Sequence, residues 1–380
     1  MFKKCLTIIA GMMWTNLLLA AISVPYEHTD VQLLKNPYGI SSIRLQEEQY
    51  QQHMAHPSIS IRTINVDSKN QHILNFADLF SNEESALQII ATYSQAYFME
   101  KLLQEKLSPE NFLSRSEFVK TGTSPKLENY QHWNIVADYL QITFERAQVE
   151  PSYYGVQKVD VPLALLVSVL NPKLFPNIFQ LAPGDLLFQD LACGELCDGI
   201  NSTTYGYRHT TVSHVGMIVA IDKTQPEVIE AGSAGVKLTP LYEFLVSSVD
   251  EFGHPRVMVG RVDDKLKPLI PKAIKEALQY LDYPYNPTFS PDAKGLYCSQ
   301  LITRAFFEAN NNVTIFASHP MNFKIENPNV FSPAWVRYFF ELKQPIPQGE
   351  LGNNPGMLSR DTQVHVVYFY GKLRAQETVG

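Results

Sequence analysis

The sequence predicts an α+β protein with a mainly antiparallel sheet, and three observations carry that prediction. Short runs rich in Val and Ile, bounded by Gly and Pro, recur in the second half of the chain. Amphipathic stretches, two of them opening on proline at the first helical position, lie between and after these runs. Apolar residues make up 45% of the 380 and charged ones 18%, which is ample material for a packed core and unlike a disordered polymer. Strands clustered together with helices at their periphery define the α+β class.

Taken in order, the strand runs are 185–189, 213–221, 228–231, 257–262 and 364–370. One helix leads from Pro271 to Leu281 and another from Ser332-Pro333 to Phe340. A third begins at Tyr297 or Cys298 and carries Leu301, Ile302, Ala305 and Phe306 on one face. Upstream, Ser81 and Glu84 form a capping box, and Leu87, Ile90, Tyr97 and Leu102 recur at helical spacing. Tyr130, Trp133, Ala137, Leu140 and Phe144 predict a second helix, so that the two form a hairpin. Between Tyr26 and Asn70 the chain is polar and Gln-rich without sustained periodicity, and reads as a loosely structured leader.

The first residues differ in kind. Lys3 and Lys4 precede an apolar run from Leu6 to Val24 that ends in the small residues Ala20, Ala21 and Ser23. This is the pattern of a secretory signal peptide cut after Ala21 or Ser23. The alternative is an uncleaved membrane anchor, and Thr7, Thr15, Asn16 and Ser23 dilute that reading. No later segment is apolar enough to span a membrane. The expected organisation is a signal peptide at 1–23, a mainly helical N-terminal region at 24–160, and a further domain at 161–380.

Lys plus Arg number 31 against 38 for Asp plus Glu, a net charge of -7, with no basic run interleaved with aromatics, so nucleic acid is excluded as the expected partner. Cys5, Cys193, Cys197 and Cys298 are the four cysteines. Loss of the first with the signal leaves three. In an oxidising compartment Cys193 and Cys197 are close enough to pair, which would leave Cys298 free. A second reading joins Cys193 and Cys197 with His209 and His214 as a zinc site, but the Gly- and Tyr-rich segment between them has no helical stripe to carry the histidines. Asn201-Ser202-Thr203 and Asn312-Val313-Thr314 match the N-glycosylation triplet, which matters only in a eukaryotic secretory pathway.

Cys298 opens its helix directly after a turn-rich segment containing Pro284, Pro287, Pro291 and Gly295. There, the unpaired N–H groups and the positive end of the macrodipole favour a thiolate and are placed to receive an oxyanion. His214 opens the strand Ser213 to Val219, at a sheet end where a helix N-terminus can meet it, and so can take a proton from a thiol. Glu230 lies on the next strand, where a carboxylate would fix the imidazole tautomer. Against each role stands a bland one: a buried inert thiol, a strand-end histidine, a solvated glutamate.

Five segments together resemble the YiiX/YebB group of circularly permuted NlpC-like cysteine hydrolases. They are Pro183-Gly184-Asp185-Leu186-Leu187-Phe188, Ser213-His214-Val215-Gly216-Met217-Ile218, Val228-Ile229-Glu230-Ala231, Tyr283-Pro284-Tyr285-Asn286 and Tyr297-Cys298-Ser299-Gln300-Leu301. The tail Asn354-Pro355-Gly356-Met357-Leu358 is similar too. The resemblance covers about Pro183 to Phe307 and leaves the first 180 or so residues outside it. It implies a papain-like fold with the histidine strands before the cysteine helix, with Cys298 as nucleophile, His214 as base and Glu230 as orienting residue. Ser299, Tyr297, Tyr285 and Asp185 are its oxyanion and pocket candidates. Gln300 stands where a Glu often follows the Cys-Ser pair, and Asp282 where a Gly often precedes Pro-Tyr. The implied activity is hydrolysis or acyl transfer through a thiol acyl-enzyme, with no cofactor. The substrate is a peptide amide, for example of peptidoglycan, or alternatively a lipid ester; an inactive binding module is the reading from another class.

The export reading makes a direct prediction. N-terminal sequencing of the exported protein is expected to begin at Ile22 or Val24; an intact Met1 on a soluble product would refute it.

Overall fold

The computed structural model describes residues 28–50, 57–221, 226–325 and 329–375, so the signal segment and Cys5 lie outside the described residues. The described chain divides into two compact units, residues 28–74 with 134–136 and residues 75–133 with 137–375.

In the first unit, β1 (His28–Leu34), β2 (Ile40–Gln49), β3 (Ser58–Asp67) and β4 (His72–Ile73) form an antiparallel meander. The stretch expected to be a loose leader is therefore a sheet. Its polar composition is the reason the pattern went unseen: Ser42, Arg44, Glu47 and Asn65 are buried, where an alternating strand would show apolar residues. They are satisfied by partners across the ladder. Arg62 Nη2 donates to Glu47 Oε1 at 2.7 Å, and Asn134 Nδ2 donates to Ser42 Oγ at 3.2 Å.

The second unit opens with α1 (Glu83–Gln104) and α2 (Pro109–Gly122). The cap of α1 is Asn82, whose side chain accepts from Ser85 N at 3.0 Å, one residue later than the Ser81–Glu84 box predicts. The helix expected through Tyr130–Phe144 is absent from the described residues; the segment forms β5 (Trp133–Val136) and β6 (Tyr139–Phe144). Ala137 has φ of 47°, which no helix accommodates, and the intervening Ile135, Ile142 and Thr143 are β-branched. β6 pairs antiparallel with β7 (Gln157–Pro162), which leads into the short α3 (Leu163–Leu166).

The sheet that carries the site then follows. In chain order come β8 (Leu186–Gln189), α4 (Glu195–Thr203), β9 (His214–Ala220), β10 (Glu227–Gly232), β11 (Gly235–Pro240) and α5 (Leu241–Val246). Next are β12 (Val257–Val262), α6 (Ile270–Leu278), α7 (Cys298–Ala309), β13 (His319–Pro320) and α8 (Pro333–Leu342). β14 (Leu351–Gly352), α9 (Pro355–Ser359) and β15 (Val364–Phe369) complete it. Six strands run antiparallel in the order β11-β10-β9-β8-β12-β15. The α+β class with an antiparallel sheet is what the structure has.

Burial follows position in this sheet. β8 and the first five residues of β9 are buried throughout, as befits central strands, whereas the edge strand β15 exposes His365, Val367 and Phe369 in alternation. Leu301, Ile302, Ala305 and Phe306 of α7 pack with Ala273 and Ala277 of α6 onto Val215, Met217 and Ile229. The helix bearing Cys298 is thus clamped to the strands bearing His214 and Glu230 by one apolar core. Two buried carboxylates brace the flanks. Asp185 accepts from Arg261 Nε at 2.7 Å, and Asp190 accepts from Arg374 Nη2 at 2.6 Å.

Gly216 sits opposite Glu230 in the β9–β10 register. A Cβ there would come within 2.5 Å of Val228 Cγ1 and 3.1 Å of Phe244 Cε2. Gly216→Ala is therefore expected to destabilise the fold by about 1–3 kcal/mol through overpacking. A lowered midpoint in thermal or urea unfolding is the readout; an unchanged midpoint would mean that Val228 and Phe244 both yield freely.

Candidate active site

Three elements converge. β9 begins at His214, β10 carries Glu230 near its middle, and α7 begins at Cys298. Antiparallel register sets Glu230 opposite Gly216, two residues from His214 and so on the same face of the sheet. His214 Nε2 donates to Glu230 Oε2 at 2.6 Å, and the same imidazole stands close enough to Cys298 for the two to interact electrostatically. With Nε2 committed to the carboxylate, Nδ1 is the nitrogen left for the sulfur. All three residues are buried, Cys298 to 4% exposure, yet all line one cleft of about 480 Å³.

The carboxylate is held from its far side as well. Thr239 Oγ1 on β11 donates to Glu230 Oε1, and Lys237 Nζ stands 3.6 Å from the same oxygen. Burial raises the cost of charge on Glu230, but the bonds to His214 and Thr239 and the Lys237 charge outweigh it and bring its pKa down to about 2. Burial likewise opposes charge on His214. Hydrogen bonds with Cys298 and Glu230 overcome that and push its pKa up to about 10. At neutral pH the imidazole is therefore an imidazolium, both of whose nitrogens donate, between a carboxylate and a sulfur atom.

The helix start is built for this. Tyr297 is the N-cap residue with extended backbone, and its N–H donates to Gln300 Oε1 at 3.4 Å, so Gln300 serves where a Glu would in a capping box. Tyr297 Oη in turn accepts from Asn353 N at 3.2 Å. Burial holds the Tyr297 phenol up at about 12 and the Tyr285 phenol well above its ordinary value, so both are neutral hydroxyls beside Cys298. Asp282 has φ of 64°, the left-handed region that favours glycine and that Asp tolerates, which accounts for Asp at that position.

The other expected residues divide. Ser299, Tyr297 and Tyr285 line a second, smaller cavity that also touches Cys298. Asp185 does not reach the site: its carboxylate is taken by Arg261 and by Ala182 N at 2.8 Å, and it lines neither cavity at Cys298. Its place at the turn into β8 makes it a brace. Cys193 and Cys197 are joined in a disulfide, Cα to Cα 5.2 Å, in the wall of the cleft that Cys298 also lines. Neither sulfur is then available as a thiolate to zinc, and His209 instead stacks on Tyr205. Among the described residues no group of three or more His, Cys, Asp or Glu side chains is arranged to hold a metal. Thr239 and Asn353 were not anticipated: Thr239 sits in a short mixed strand and Asn353 in the loop before α9, and only the neighbouring Asn354-Pro355-Gly356 carried a signal.

Comparison with known proteins finds two matched regions, both within the second unit save for residues 134–136. A family model described as permuted papain-like amidase enzyme, YaeF/YiiX, C92 family, matches residues 180–368. A second, described as a protein of unknown function (DUF3298), matches residues 77–164. The chain is 30% identical to the uncharacterized protein YiiX of Escherichia coli (strain K12) over 177 residues, 46% of this chain and 80% of that protein. It is 28% identical to the peptidoglycan-N-acetylmuramic acid deacetylase PdaC of Bacillus subtilis (strain 168) over 119 residues, 31% of this chain and 24% of the deacetylase, so it spans about a quarter of that relative. Among solved structures, the metalloprotein yiiX of Escherichia coli O157:H7 is similar at 25% identity and a TM-score of 0.42, covering 50% of this chain and 98% of that one.

The charge state of the pair has a checkable signature. A His whose folded pKa is raised stabilises the fold fully below its unfolded value of 6.5, and that contribution is lost as pH rises through about 10. A Glu whose folded pKa is depressed contributes above 4.5, and that contribution is lost as pH falls through about 2. The pair is therefore fully stabilising between 4.5 and 6.5, the two reference values. Denaturation of wild type and Glu230→Gln across pH is expected to show the largest stability gap in that interval and a narrowing gap toward either extreme. A gap independent of pH would contradict the ion pair.

Proposed function

The chain belongs to the YaeF/YiiX family of permuted papain-like amidases, and on that premise we propose that it is a cysteine amidase in which Cys298 is the nucleophile, His214 the proton carrier and Glu230 the positioning residue. One observation carries the reading: the His214 side chain, bonded to a buried, charged Glu230, lies beside Cys298 in one cleft. A satisfied core histidine needs one partner of either kind. A proton carrier needs a nucleophile on one side and an orienting carboxylate on the other.

The steps follow from the geometry. Cys298 sulfur attacks the carbonyl carbon of an amide, and the charge that develops on oxygen is received by backbone N–H groups at the first turn of α7. His214 gives its proton to the departing amine as the C–N bond breaks, leaving a thioester. The neutral imidazole then takes a proton from water, whose oxygen adds to the thioester carbonyl, and the acid leaves with Cys298 restored. Glu230, fixed by Thr239, keeps the ring in place and stabilises its positive charge.

The substrate proposed is a peptide amide of the cell wall, with the protein acting outside the cytoplasm after removal of residues 1–23. Support comes from the secretory pattern at the N-terminus, from the disulfide in the cleft wall and from the peptidoglycan relative. Among the described residues no helix is long and apolar enough to cross a membrane.

Cys298→Ala is expected to abolish hydrolysis of muropeptide amides, and His214→Ala to lower kcat/KM by roughly 10²–10⁴-fold. Glu230→Gln is expected to be milder than His214→Ala, since it loosens the ring without removing it. Iodoacetamide should label Cys298 faster than free cysteine near neutral pH, and His214→Ala should slow that labelling. Turnover that survives Cys298→Ala would sink the assignment. Labelling no faster than free cysteine and indifferent to His214 would point instead to an inactive binding module.

A further inference from the structure

Cys298 stands between two cavities of unequal size. The large cleft contains His214 and Glu230. The small one, about 50 Å³, is not lined by His214 and is walled by Phe289, Met321, Phe323 and Trp335. Two polar atoms in its lining have no hydrogen-bond partner although their residues are more than nine-tenths buried: Ser299 Oγ and Asn353 Oδ1. Such an atom costs about 1–3 kcal/mol when left unpaired, so its persistence in a cavity beside a nucleophile marks a place for a ligand group.

The orientation of the Asn353 amide follows from its neighbours. Thr303 Oγ1 gives its only proton to Gln300 O at 3.2 Å, so toward Asn353 it can only accept. Asn353 Nδ2 is accordingly set facing it, at 2.9 Å, which leaves Oδ1 of this cavity-lining residue as the acceptor without a partner. The lining thus asks for an N–H donor. Its size limits what surrounds that donor: with a water needing roughly 10–15 Å³ of such space, 50 Å³ holds about three or four non-hydrogen atoms.

Proton transfer decides which half of the substrate goes there. His214 must protonate the departing amine, and His214 lines only the large cleft, so the leaving group lies on that side. The acyl half then turns toward the small cavity. We propose that this cavity is the acyl-side specificity site of the proposed cysteine amidase, admitting a glycine or alanine residue whose nitrogen donates to Asn353 Oδ1, with Ser299 Oγ as second partner. The proposal rests on the nucleophilic role of Cys298 and adds to it the class of bond cleaved. A methyl group, an α-carbon and a nitrogen fill the space; a leucyl, phenylalanyl or fatty-acyl chain exceeds it, and a fatty acyl group brings no donor.

Chloromethyl ketones test this without a known natural substrate, because Cys298 sulfur displaces chloride to form a thioether that mass spectrometry locates. Alanyl chloromethyl ketone is compared with 1-chlorobutan-2-one, which lacks only the amine, with phenylalanyl chloromethyl ketone and with 1-chlorododecan-2-one. The alanyl reagent is expected to label Cys298 at least about tenfold faster than the other three, after correction for their rates with free cysteine. Asn353→Leu should bring the ratio of alanyl to butanone rates toward unity, Asn353→Asp should preserve it, and Ser299→Ala should lower it in part. Labelling of Cys298 without preference for the alanyl reagent, or a preference untouched by Asn353→Leu in a folded protein, overturns the specificity site and leaves the nucleophile standing. Failure of all four reagents to label Cys298 overturns the nucleophile and this proposal with it.

Discussion

The contact on which the rest depends is the buried bond between His214 and Glu230. An isolated carboxylate or imidazolium at that depth would be costly enough to give up its charge; joined at 2.6 Å, each keeps the other charged across the neutral range. Burial alone would drive both groups neutral, and it is the first influence on each. On Glu230 the bond reverses it; on His214 the interaction with Cys298 and the bond to Glu230 together do. Without Thr239 and Lys237 on the outer oxygen, Glu230 would have one satisfied side only, and a half-satisfied buried carboxylate is a poor anchor for anything. The edge strand β11, remote from Cys298 in the chain and contributing no reacting group, is on this view part of the machinery that keeps the imidazole charged.

A sheet is a good frame for such a pair because register leaves little freedom. Shifting β10 by one residue against β9 would turn Glu230 to the opposite face, and the apolar residues on either side of it forbid that slip. Val228, Ile229 and Ala231 are all fully buried, so the strand is fixed by packing before the carboxylate is considered. Cys298 is fixed in a different way, by a helix start whose cap residue is itself tied to Asn353. The two constraints meet only because α7 packs on β9 and β10 through Leu301, Ile302 and Ala305. Permutation of the chain order, with the histidine strands before the cysteine helix, leaves this meeting unaffected, since a hydrogen bond depends on position in space alone.

What the sequence made legible tracks how much local chemistry each element carries. β12 reads as observed, and β8, β9, β10 and β15 fall within a residue or two, because each is a short apolar run, β-branched in all but β8, closed by Gly, Pro or polar residues. The start of α7 was readable from its turn-rich approach and apolar spacing. β11 was not, since Gly235 to Pro240 mixes a lysine and a threonine into six residues, and with it went Thr239. The N-terminal sheet was hidden by buried polar residues whose partners lie on other strands, information that no window of a single strand contains. The mistaken helix at Tyr130 to Phe144 is the converse error: residues three and four apart matched a helical stripe while Ala137 required a backbone that only a turn accepts.

The three cysteines of the second unit can be seen as one arrangement in the same cleft. In an oxidising compartment an exposed catalytic thiol would be exposed to oxidation and to mispairing with any other thiol nearby. Here the two cysteines that could compete are joined to each other across one turn of chain at the start of α4, and Cys298 is 4% exposed. That burial would make an ordinary thiol inert, because charge on sulfur is disfavoured away from water. Two features stand beside the sulfur here, the first turn of a twelve-residue helix and the side chain of His214. Protection comes from the packing around the sulfur, and in the proposed mechanism reactivity is assigned to the helix start and the imidazole beside it. A single buried residue can hold both properties because they arise from different parts of the fold.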